Sequence, residues 1–355
     1  MTAENYNVIG VMSGTSLDGI DLAHIRFTIA NGKWQFEILE AETVPYENEW
    51  LETLKRAVGF SADELFHLNI RYTKLLSGVV ASFIEQFKLY DIDAVCSHGH
   101  TILHQPQNGV TLQIGNLPET ATLINRTVIC DFRVGDVNLG GQGAPLVPVG
   151  DRILFSGYHY CLNLGGFSNI SFEEQDKRIA FDICAVNTVL NYYANELGYP
   201  YDDKGGIAAS GELDQELLDT LNAQPYFRQP YPKSLGFESV KETILPLIEA
   251  FNIPTPNKLN TYCEHIAVQI VNALPEQSGK VLVTGGGAYN DFLINLLKQQ
   301  LPKVEFVIPP KKILEFKEAL VFALLGVLRL RNEVNVLSSV TGAKHDHSSG
   351  FIYKP

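Results

Sequence analysis

The 355-residue chain has no run of lysine or arginine long enough to build a basic patch, and its 40 acidic residues outnumber 27 basic ones, for a formal charge of −13. That balance excludes a function based on gripping the phosphate backbone of nucleic acid or an anionic membrane surface. It also lacks a CxxC pair: Cys96, Cys130, Cys161, Cys184 and Cys263 are odd in number and scattered. Reduced, buried thiols in a cytoplasmic protein are therefore expected. No apolar run is long, since "ALVFALLGVL" at Ala319–Leu328 falls far short of the roughly 20 residues a membrane span needs. It predicts a buried helix instead. The start, "MTAENYNVIG", shows no basic segment ahead of an apolar core, so no signal peptide is expected. There is no GxxxxGK[ST] and no complete GxGxxG, so both of the commonest nucleotide loops are missing.

What is present reads as an ordinary globular protein, with 45% hydrophobic and 19% charged residues. A single core usually stops growing near about 250–300 residues, so two domains are expected. The first 60 residues predict strands, "NVIGV", "IDLAHIRFTI" and "WQFEILEAETVPY", with Asn31-Gly32 as a hairpin signal. Ser61 followed by Glu64 predicts a capping box on a long helix through "LFHLNIRYTKLLSGVVASFIEQF". "DAVCSHG" at Asp93–Gly99 predicts a buried strand delivering a functional loop at its carboxyl end, and "TVICDFRVGDV" at Thr127–Val137 repeats the pattern. "LGGQGAPLVP" at Leu139–Pro148 reads as a crossing between lobes.

The pattern then restarts. "YHYCLNL", "GGFSN", "ISFEEQ" and "RIAFD" predict a second run of strands, and a helix follows from Ala185 to a stop at Gly198. Leu213–Leu221 predicts a helix, and Thr261 with Glu264 caps another through "HIAVQIVNAL". A strand "KVLVT", the triple glycine Gly285–Gly287, a helix near Asn290, a strand "EFVIP", an apolar helix around Glu318–Arg331 and a polar tail complete the chain. Two α/β halves that each open strand–glycine turn–strand predict a duplicated fold, residues 1–148 and 149–355, with ligands in the cleft between lobes. The segment after Glu318 is left open to cross back to the first lobe.

"MSGTSLDGID", Met12–Asp21, places hydroxyls, glycines and carboxylates between two strands without a lysine. A glycine-rich reversal can aim successive backbone N–H groups at one anion. Gly14 and Gly19 permit the necessary dihedrals, and Ser13, Thr15 and Ser16 add hydroxyl donors. Asp18 would repel a phosphate unless a divalent cation or its water lies between them. Magnesium, held by one or two carboxylates, water and phosphates, resolves that conflict. The plain alternative is that Ser, Asp and Gly simply form turns. "NLGGFSN" at Asn163–Asn169 is a second such reversal, by itself as readily an ordinary hairpin. "VTGGGAYND" at Val283–Asp291 follows a strand and opens a helix, a context in which glycines admit a nucleotide.

Asp182 in "IAFDICAVN" either aims a carboxylate into the cleft from a strand end or caps the following helix. Asp131 and Arg133 in "CDFRVGD", and Glu318 before an apolar run, are further polar candidates. His98, His100 and His104 form HxHxxxH without a nearby acidic partner, so hydrogen bonding to a polar substrate is expected ahead of metal ligation. His345 and His347 are expected to be solvated.

These segments together resemble the anhydro-N-acetylmuramic acid kinases, members of the acetate and sugar kinase/Hsp70/actin superfamily. The likeness runs from "GVMSGTSLDGIDLA" through "SHGHTILHQP", "TLQIGN", "DFRVGDVNLGGQGAPLVP", "NLGGFSNIS", "YDDKGGIAASG", "PYFRQPYPKSLG" and "VLVTGGGAYN" to "KEALVFALLG", nearly the whole chain. It implies an α/β protein of two ribonuclease-H-like (actin-like ATPase) lobes clamping ATP and Mg2+. Gly14, Thr15, Ser16, Leu17, Asp18, Gly19, Ile20 and Asp21 match the family's ATP-phosphate segment, with Asp18 reaching the metal through water. Gly165 and Gly166 match a second phosphate hairpin, and Gly285, Gly286, Gly287 and Asn290 the adenosine side. Asp182 falls on the catalytic aspartate, Glu318 on a substrate anchor, and His98, His100, Thr101, Asp131 and Arg133 on the sugar side.

The reaction implied is hydrolysis of the anhydro bridge of 1,6-anhydro-N-acetylmuramate with phosphorylation of O6, giving N-acetylmuramate 6-phosphate in cell-wall recycling. The resemblance also implies a homodimer. Two stretches depart from the family: TGPGN after the aspartate becomes Ile183-Cys184-Ala185-Val186-Asn187, and an arginine after KSTG becomes Phe237. They leave open a kinase for a different amino sugar, or a catalytically silent binder of nucleotide or sugar.

Overall fold

The computed structural model describes residues 4–14 and 17–355. They divide into two compact units, one comprising the chain up to Leu154 together with Phe316–Pro355, the other Phe155–Glu315. The sequence-based division at 148/149 falls inside the helix Val147–Leu154.

In the first unit β1 (Glu4–Ser13), β2 (Ile20–Ala30) and β3 (Lys33–Val44) form an antiparallel meander. Asn31 and Gly32 both take positive φ, 52° and 74°, as a two-residue hairpin of the right twist requires. β4 (Ala94–Gln105) lies parallel to β1, β5 (Val110–Ile114) pairs antiparallel with the far half of β4, and β6 (Val128–Cys130) runs parallel to its near half. The order is β3-β2-β1-β4-β6, with the C-terminal strand Phe351–Tyr353 added antiparallel on β6. Three antiparallel strands followed by two parallel ones is the ribonuclease-H-like arrangement. The tail expected to be simply polar thus ends as an edge strand.

Strand alternation assigns the two faces of this sheet. Ile9, Val11, Ile20 and Leu22 pack with Leu65, Leu68, Tyr72, Leu76 and Val80 of the helix Ala62–Phe87, which Ser61 and Glu64 start with the expected capping box. On the other face lies the apolar helix Lys311–Leu330, with non-helical φ and ψ at Phe316. It approaches so closely that a Cβ on Gly10 would fall on the Ala319 carbonyl and one on Gly326 on Cys96 Sγ. Glu318 therefore lies within this helix, not ahead of it.

The second unit repeats the plan. β7 (Tyr160–Leu164), β8 (Phe167–Glu174) and β9 (Lys177–Ala185) form a meander, and β10 (Gly279–Thr284) and β11 (Val304–Val307) continue in parallel from β7. Its order, β9-β8-β7-β10-β11, matches the first sheet strand for strand. The core is filled by Val189, Leu190 and Tyr193 of the helix Asn187–Glu196, Tyr262, Ile266 and Ile270 of Thr255–Ala273, and Leu293 and Leu297 of Asp291–Gln300.

Three local expectations are corrected. The helix expected to start at Thr261 begins at Thr255. Proline near its first turn lacks only an N–H that would be unpaired there, and Thr261 Oγ1 instead accepts from Asp214 N. "TVICDFRVGDV" is not one strand, because after Cys130 the backbone turns left-handed at Asp131 (φ 60°) and Phe132–Asn138 is helical. His347 is mostly covered, its Nε2 3.7 Å from Asp136 Oδ1, because Val336 pairs with His347 and draws the tail inward. All five cysteines are free and buried, as expected.

Candidate active site

At the end of β1, Thr15 and Ser16 lie outside the described residues. Gly14 is half-buried, its carbonyl accepts from Leu17 N at 3.3 Å, and Leu17 takes φ 61°. Gly19 and Ile20 are buried; a Cβ on Gly19 would come within 2.6 Å of the Val44 carbonyl oxygen, so β3 leaves room only for glycine. Asp18 is exposed, and Asp21 Oδ1 accepts from Thr43 Oγ1 at 2.6 Å. Ser13 is turned away from the role of phosphate donor: its Oγ lies 2.8 Å from His100 Nδ1 and 2.6 Å from the Tyr46 hydroxyl.

The two buried histidines of "SHGHT" have separate partners. Arg133 Nε donates to His98 Nε2 at 3.0 Å, and because guanidinium only donates, His98 must carry its proton on Nδ1, which donates to the Gly99 carbonyl at 3.0 Å. Burial, with the Arg133 charge second, holds His98 well below its ordinary pKa, and burial lowers His100 to about 4. Both rings are neutral at pH 7. His104 pairs with Thr111 Oγ1 instead, so HxHxxxH does not converge. Thr101 Oγ1 accepts from Gln113 Nε2 at 3.3 Å.

Arg133 Nη1 also donates to the Gly143 carbonyl at 2.6 Å, and the buried Asp136 accepts from Gly143 N and Thr341 Oγ1, so the Gly-rich loop is pinned beside the guanidinium. Desolvation lowers the Arg133 pKa to about 10, with Glu318 and Asp136 opposing, and it stays charged. Glu318 is exposed. Desolvation by surrounding protein raises its carboxyl pKa, Arg133 and Lys317 oppose that, and Asp18 adds to it. Asp18, Arg133 and Glu318 thus share one electrostatic neighbourhood.

Asp131 combines its left-handed backbone with a carboxyl that burial pushes up to about 6. In the folded state it holds its proton above the ordinary carboxylate range, so stability falls as pH rises from about 4 to about 6 and stays lower above that. Asn tolerates the same backbone. Asp131→Asn is therefore expected to be more stable than the parent by about 1–3 kcal/mol at pH 8, a gain that vanishes below pH ~4. Thermal unfolding at both pH values checks this.

In the second unit the β7–β8 hairpin turns at Gly165-Gly166. The Gly166 carbonyl accepts from Val186 N (2.8 Å) and Thr188 N (3.2 Å), and the Gly165 carbonyl from Asn187 N (3.2 Å). These bonds satisfy the otherwise orphan N–H groups opening the helix Asn187–Glu196, so the hairpin's own amides, not the helix terminus, remain for an anion. The glycine turn after β10 packs on the same hairpin. A Cβ on Gly285 (φ 82°) would lie 2.6 Å from Asn163 Oδ1, one on Gly287 2.7 Å from Leu164 Cβ, and one on Gly286 3.4 Å from Asn187 Nδ2. Asn290 is a helix N-cap, its Oδ1 accepting from Leu293 N at 3.0 Å.

Asp182 sits inside β9 opposite Asn169. The register slips one residue on, so Ile183 is unpaired while Cys184 faces Ser168. Such a bulge re-aims neighbouring side chains. The helix N-cap position is Val186, which rules out capping by Asp182. Instead the loop 222–236 closes on it: Leu235 N donates to Oδ2 at 2.9 Å, Asp182 N donates to the Lys233 carbonyl, and the Tyr226 hydroxyl donates to the Asp182 carbonyl at 2.6 Å. Lys233 Nζ lies 4.6 Å from the Tyr226 ring centroid. Burial raises the Asp182 pKa, partly offset by the Leu235 amide. One oxygen is held and the other has no hydrogen-bond partner among the described residues, the arrangement of an oriented base.

A family model for anhydro-N-acetylmuramic acid kinase matches residues 6–355. The chain belongs to that family. Membership makes it an ATP-dependent sugar kinase. It is 33% identical to the anhydro-N-acetylmuramic acid kinase of Hydrogenovibrio crunogenus over 98% of both chains, and 36% identical to that of Pseudomonas syringae pv. tomato over 97% of this chain and 98% of the relative. The Bacillus cereus enzyme of the same name is 34% identical over 98% and 99%. Among solved structures, (R)-2-hydroxyglutaryl-CoA dehydratase component A of Acidaminococcus fermentans is similar at TM-score 0.40 and 14% identity, over 90% of this chain and 96% of that one. A likeness that weak carries no argument; the order of the two sheets assigns the fold.

Among the described residues no three His, Cys, Asp or Glu side chains cluster into a metal cage, and no helix is long and apolar enough to cross a membrane. Magnesium does not need such a cage, because it is usually held by one or two carboxylates, water and substrate phosphates. A single exposed carboxylate at the phosphate turn fits that donor set.

The signal that reading residues alone missed is the pair Tyr46 and Tyr72. The hydroxyl of Tyr46 meets both Ser13 and Tyr72 in the core. In sequence they are indistinguishable from core aromatics.

Proposed function

We propose that the protein opens the anhydro bridge of 1,6-anhydro-N-acetylmuramate with water and phosphorylates O6 at the expense of ATP, with Asp182 as the base. Supporting this is one observation above the others: a family match across residues 6–355 in which Asp182 is present and oriented through one oxygen by Leu235 N. Asp182 takes a proton from water, and the water oxygen attacks C1. The C1–O6 bond breaks, and O6 attacks the γ-phosphoryl group, releasing ADP. A raised pKa makes the carboxylate a stronger base while leaving it ionised near neutrality.

In this reading the backbone of Gly14–Asp21 and Gly165-Gly166 holds the phosphates, Gly285–Gly287 lies by the adenosine, and Arg133, Glu318, His98, His100, Thr101 and Asp131 face the sugar. Asn290 serves that side indirectly, by capping the helix after the glycine turn. Asp18 would hold magnesium through water, and the ion would neutralise charge on the transferring phosphoryl group. A cytoplasmic homodimer belongs to the same reading, with light scattering expected to give twice the chain mass.

The departures at Ile183–Val186 and Phe237 leave the base and Asn187 in place. An ADP-coupled assay across a panel of anhydro and ordinary amino sugars tests the substrate. Turnover with 1,6-anhydro-N-acetylmuramate is expected to exceed that with any other sugar; ADP release only with a different sugar would reassign it, and none with any would leave a silent binder.

A further inference from the structure

We propose that Tyr72, Tyr46 and Ser13 form a one-way hydrogen-bond chain that fixes the tautomer of His100, so that His100 offers Nε2–H as a donor to an oxygen of the sugar. The donor role rests on the function proposed above; the tautomer does not.

The four groups come from four separate places in the first unit: the helix Ala62–Phe87, the segment after β3, the end of β1, and β4. The Tyr72 and Tyr46 hydroxyls are 2.5 Å apart, Tyr46 is 2.6 Å from Ser13 Oγ, and Ser13 Oγ is 2.8 Å from His100 Nδ1. All four residues are buried, Tyr72 completely. Each link holds one proton, so the chain can run in only two directions. If Nδ1–H donated to Ser13, Ser13 would donate to Tyr46 and Tyr46 to Tyr72. The Tyr72 O–H would then need another acceptor, and among the described residues its hydrogen-bond partners end at Tyr46. A buried donor would be stranded at its full desolvation cost.

Run the other way, every proton is used. Tyr72 donates to Tyr46, Tyr46 to Ser13, and Ser13 to Nδ1, which as an acceptor puts the ring proton on Nε2. The ring plane is held as well, with the Tyr72 ring centroid 5.8 Å and the Tyr46 centroid 6.4 Å from that of His100. Gly115 leaves space for this, since a Cβ there would lie 2.9 Å from the Tyr72 ring. His98, two residues earlier, is held in the opposite tautomer by Arg133. The chain also ties the first residue of the phosphate turn to the sugar-side histidine.

Two-bond 1H–15N correlation spectra of the 15N-labelled protein at pH 7, with His100→Gln to assign the signals, read the tautomer directly. A pyridine-type Nδ1 and a pyrrole-type Nε2 are expected in the wild type, and in Tyr72→Phe as well, because Tyr46 still donates to Ser13. Ser13→Ala is expected to average the two nitrogens and to lower kcat/KM for the sugar about 3- to 10-fold, the worth of one hydrogen bond. A pyrrole-type or averaged Nδ1 in the wild type overturns the chain, whether or not Ser13→Ala folds. An averaged tautomer in Ser13→Ala with unchanged kcat/KM overturns the donor role. Absence of wild-type turnover with the anhydro sugar would overturn the function proposed above and leave the tautomer result standing.

Discussion

Asp182→Asn is expected to lower turnover of the anhydro sugar by about 10²–10⁴-fold, the contribution of a positioned general base, while leaving the affinity for an ATP analogue within about threefold. The amide keeps the shape of the carboxylate, and its oxygen can still accept from Leu235 N. What it cannot do is take a proton. Tyr226, Lys233 and Leu235 hold backbone and side chain of Asp182 from the loop 222–236, so the substitution leaves that cage in place. An ADP-coupled assay with calorimetry of analogue binding separates the two effects, and near-normal turnover would remove Asp182 from the mechanism.

The pH dependence has a definite sign. Burial raises the Asp182 pKa and the Leu235 amide only partly opposes it. The reactive form is the carboxylate, so activity is lost as pH falls through the raised value. The acid limb of kcat/KM is expected above the ordinary aspartate range, and to disappear from the residual activity of the Asn variant.

Gly285→Ala is expected to cost about 2–6 kcal/mol of stability in the second unit, the sum of a left-handed backbone forced on a side chain and overpacking of a filled site. The added methyl would lie 2.6 Å from both Asn163 Oδ1 and the Leu164 carbonyl carbon, neither of which is the loose end of a long chain. At about 2–4 °C per kcal/mol for a domain of this size, Tm is expected to fall by about 5–20 °C. Because Leu164 leads into the Gly165-Gly166 turn, the same strain displaces that hairpin, and the Kd for an ATP analogue is expected to rise about tenfold or more. Gly286→Ala is the contrast: its methyl would stand 3.4 Å from Asn187 Nδ2 without positive φ, and its stability is expected to stay within about 1 kcal/mol of the parent. Equal losses in the two variants would show that the packing of Leu164 on the glycine turn does not decide the difference.

Much of the fold was legible because its signals are local. The Asn31-Gly32 turn, the Ser61–Glu64 capping box and the alternating strands each depend on residues within a few positions of one another, and each formed as read. The expectations that needed correction had another character. The helix Thr255–Ala273 starts six residues before the Thr261–Glu264 signature, because the hydroxyl of Thr261 is taken by Asp214 from elsewhere in the chain. The left-handed turn at Asp131 breaks a stretch whose hydrophobic pattern alone continues as a strand.

The candidate site divides the same way. Glycine reversals and the aspartate could be picked out because few other roles demand those residues in that order. The resemblance to a sugar kinase family added their grouping. Whether Asp182 capped a helix or faced the chemistry could not be read from its neighbours, since both roles use a carboxylate near a strand-to-helix junction. The slip at Ile183 and the loop 222–236 settle it against capping.

By itself, the sequence determined the two repeated α/β halves, the free thiols, the glycine turns and the family, because periodicity, turn chemistry and long exact motifs are properties of neighbouring residues. Only the tertiary structure decided which protons the polar groups hold. Asp131 is pushed to about 6 by burial, His98 is fixed by an arginine 35 residues away, and Ser13, Tyr46, Tyr72 and His100 meet from positions up to 87 residues apart. Hydrogen-bond direction and desolvation depend on what surrounds an atom in space, and no local pattern carries that information.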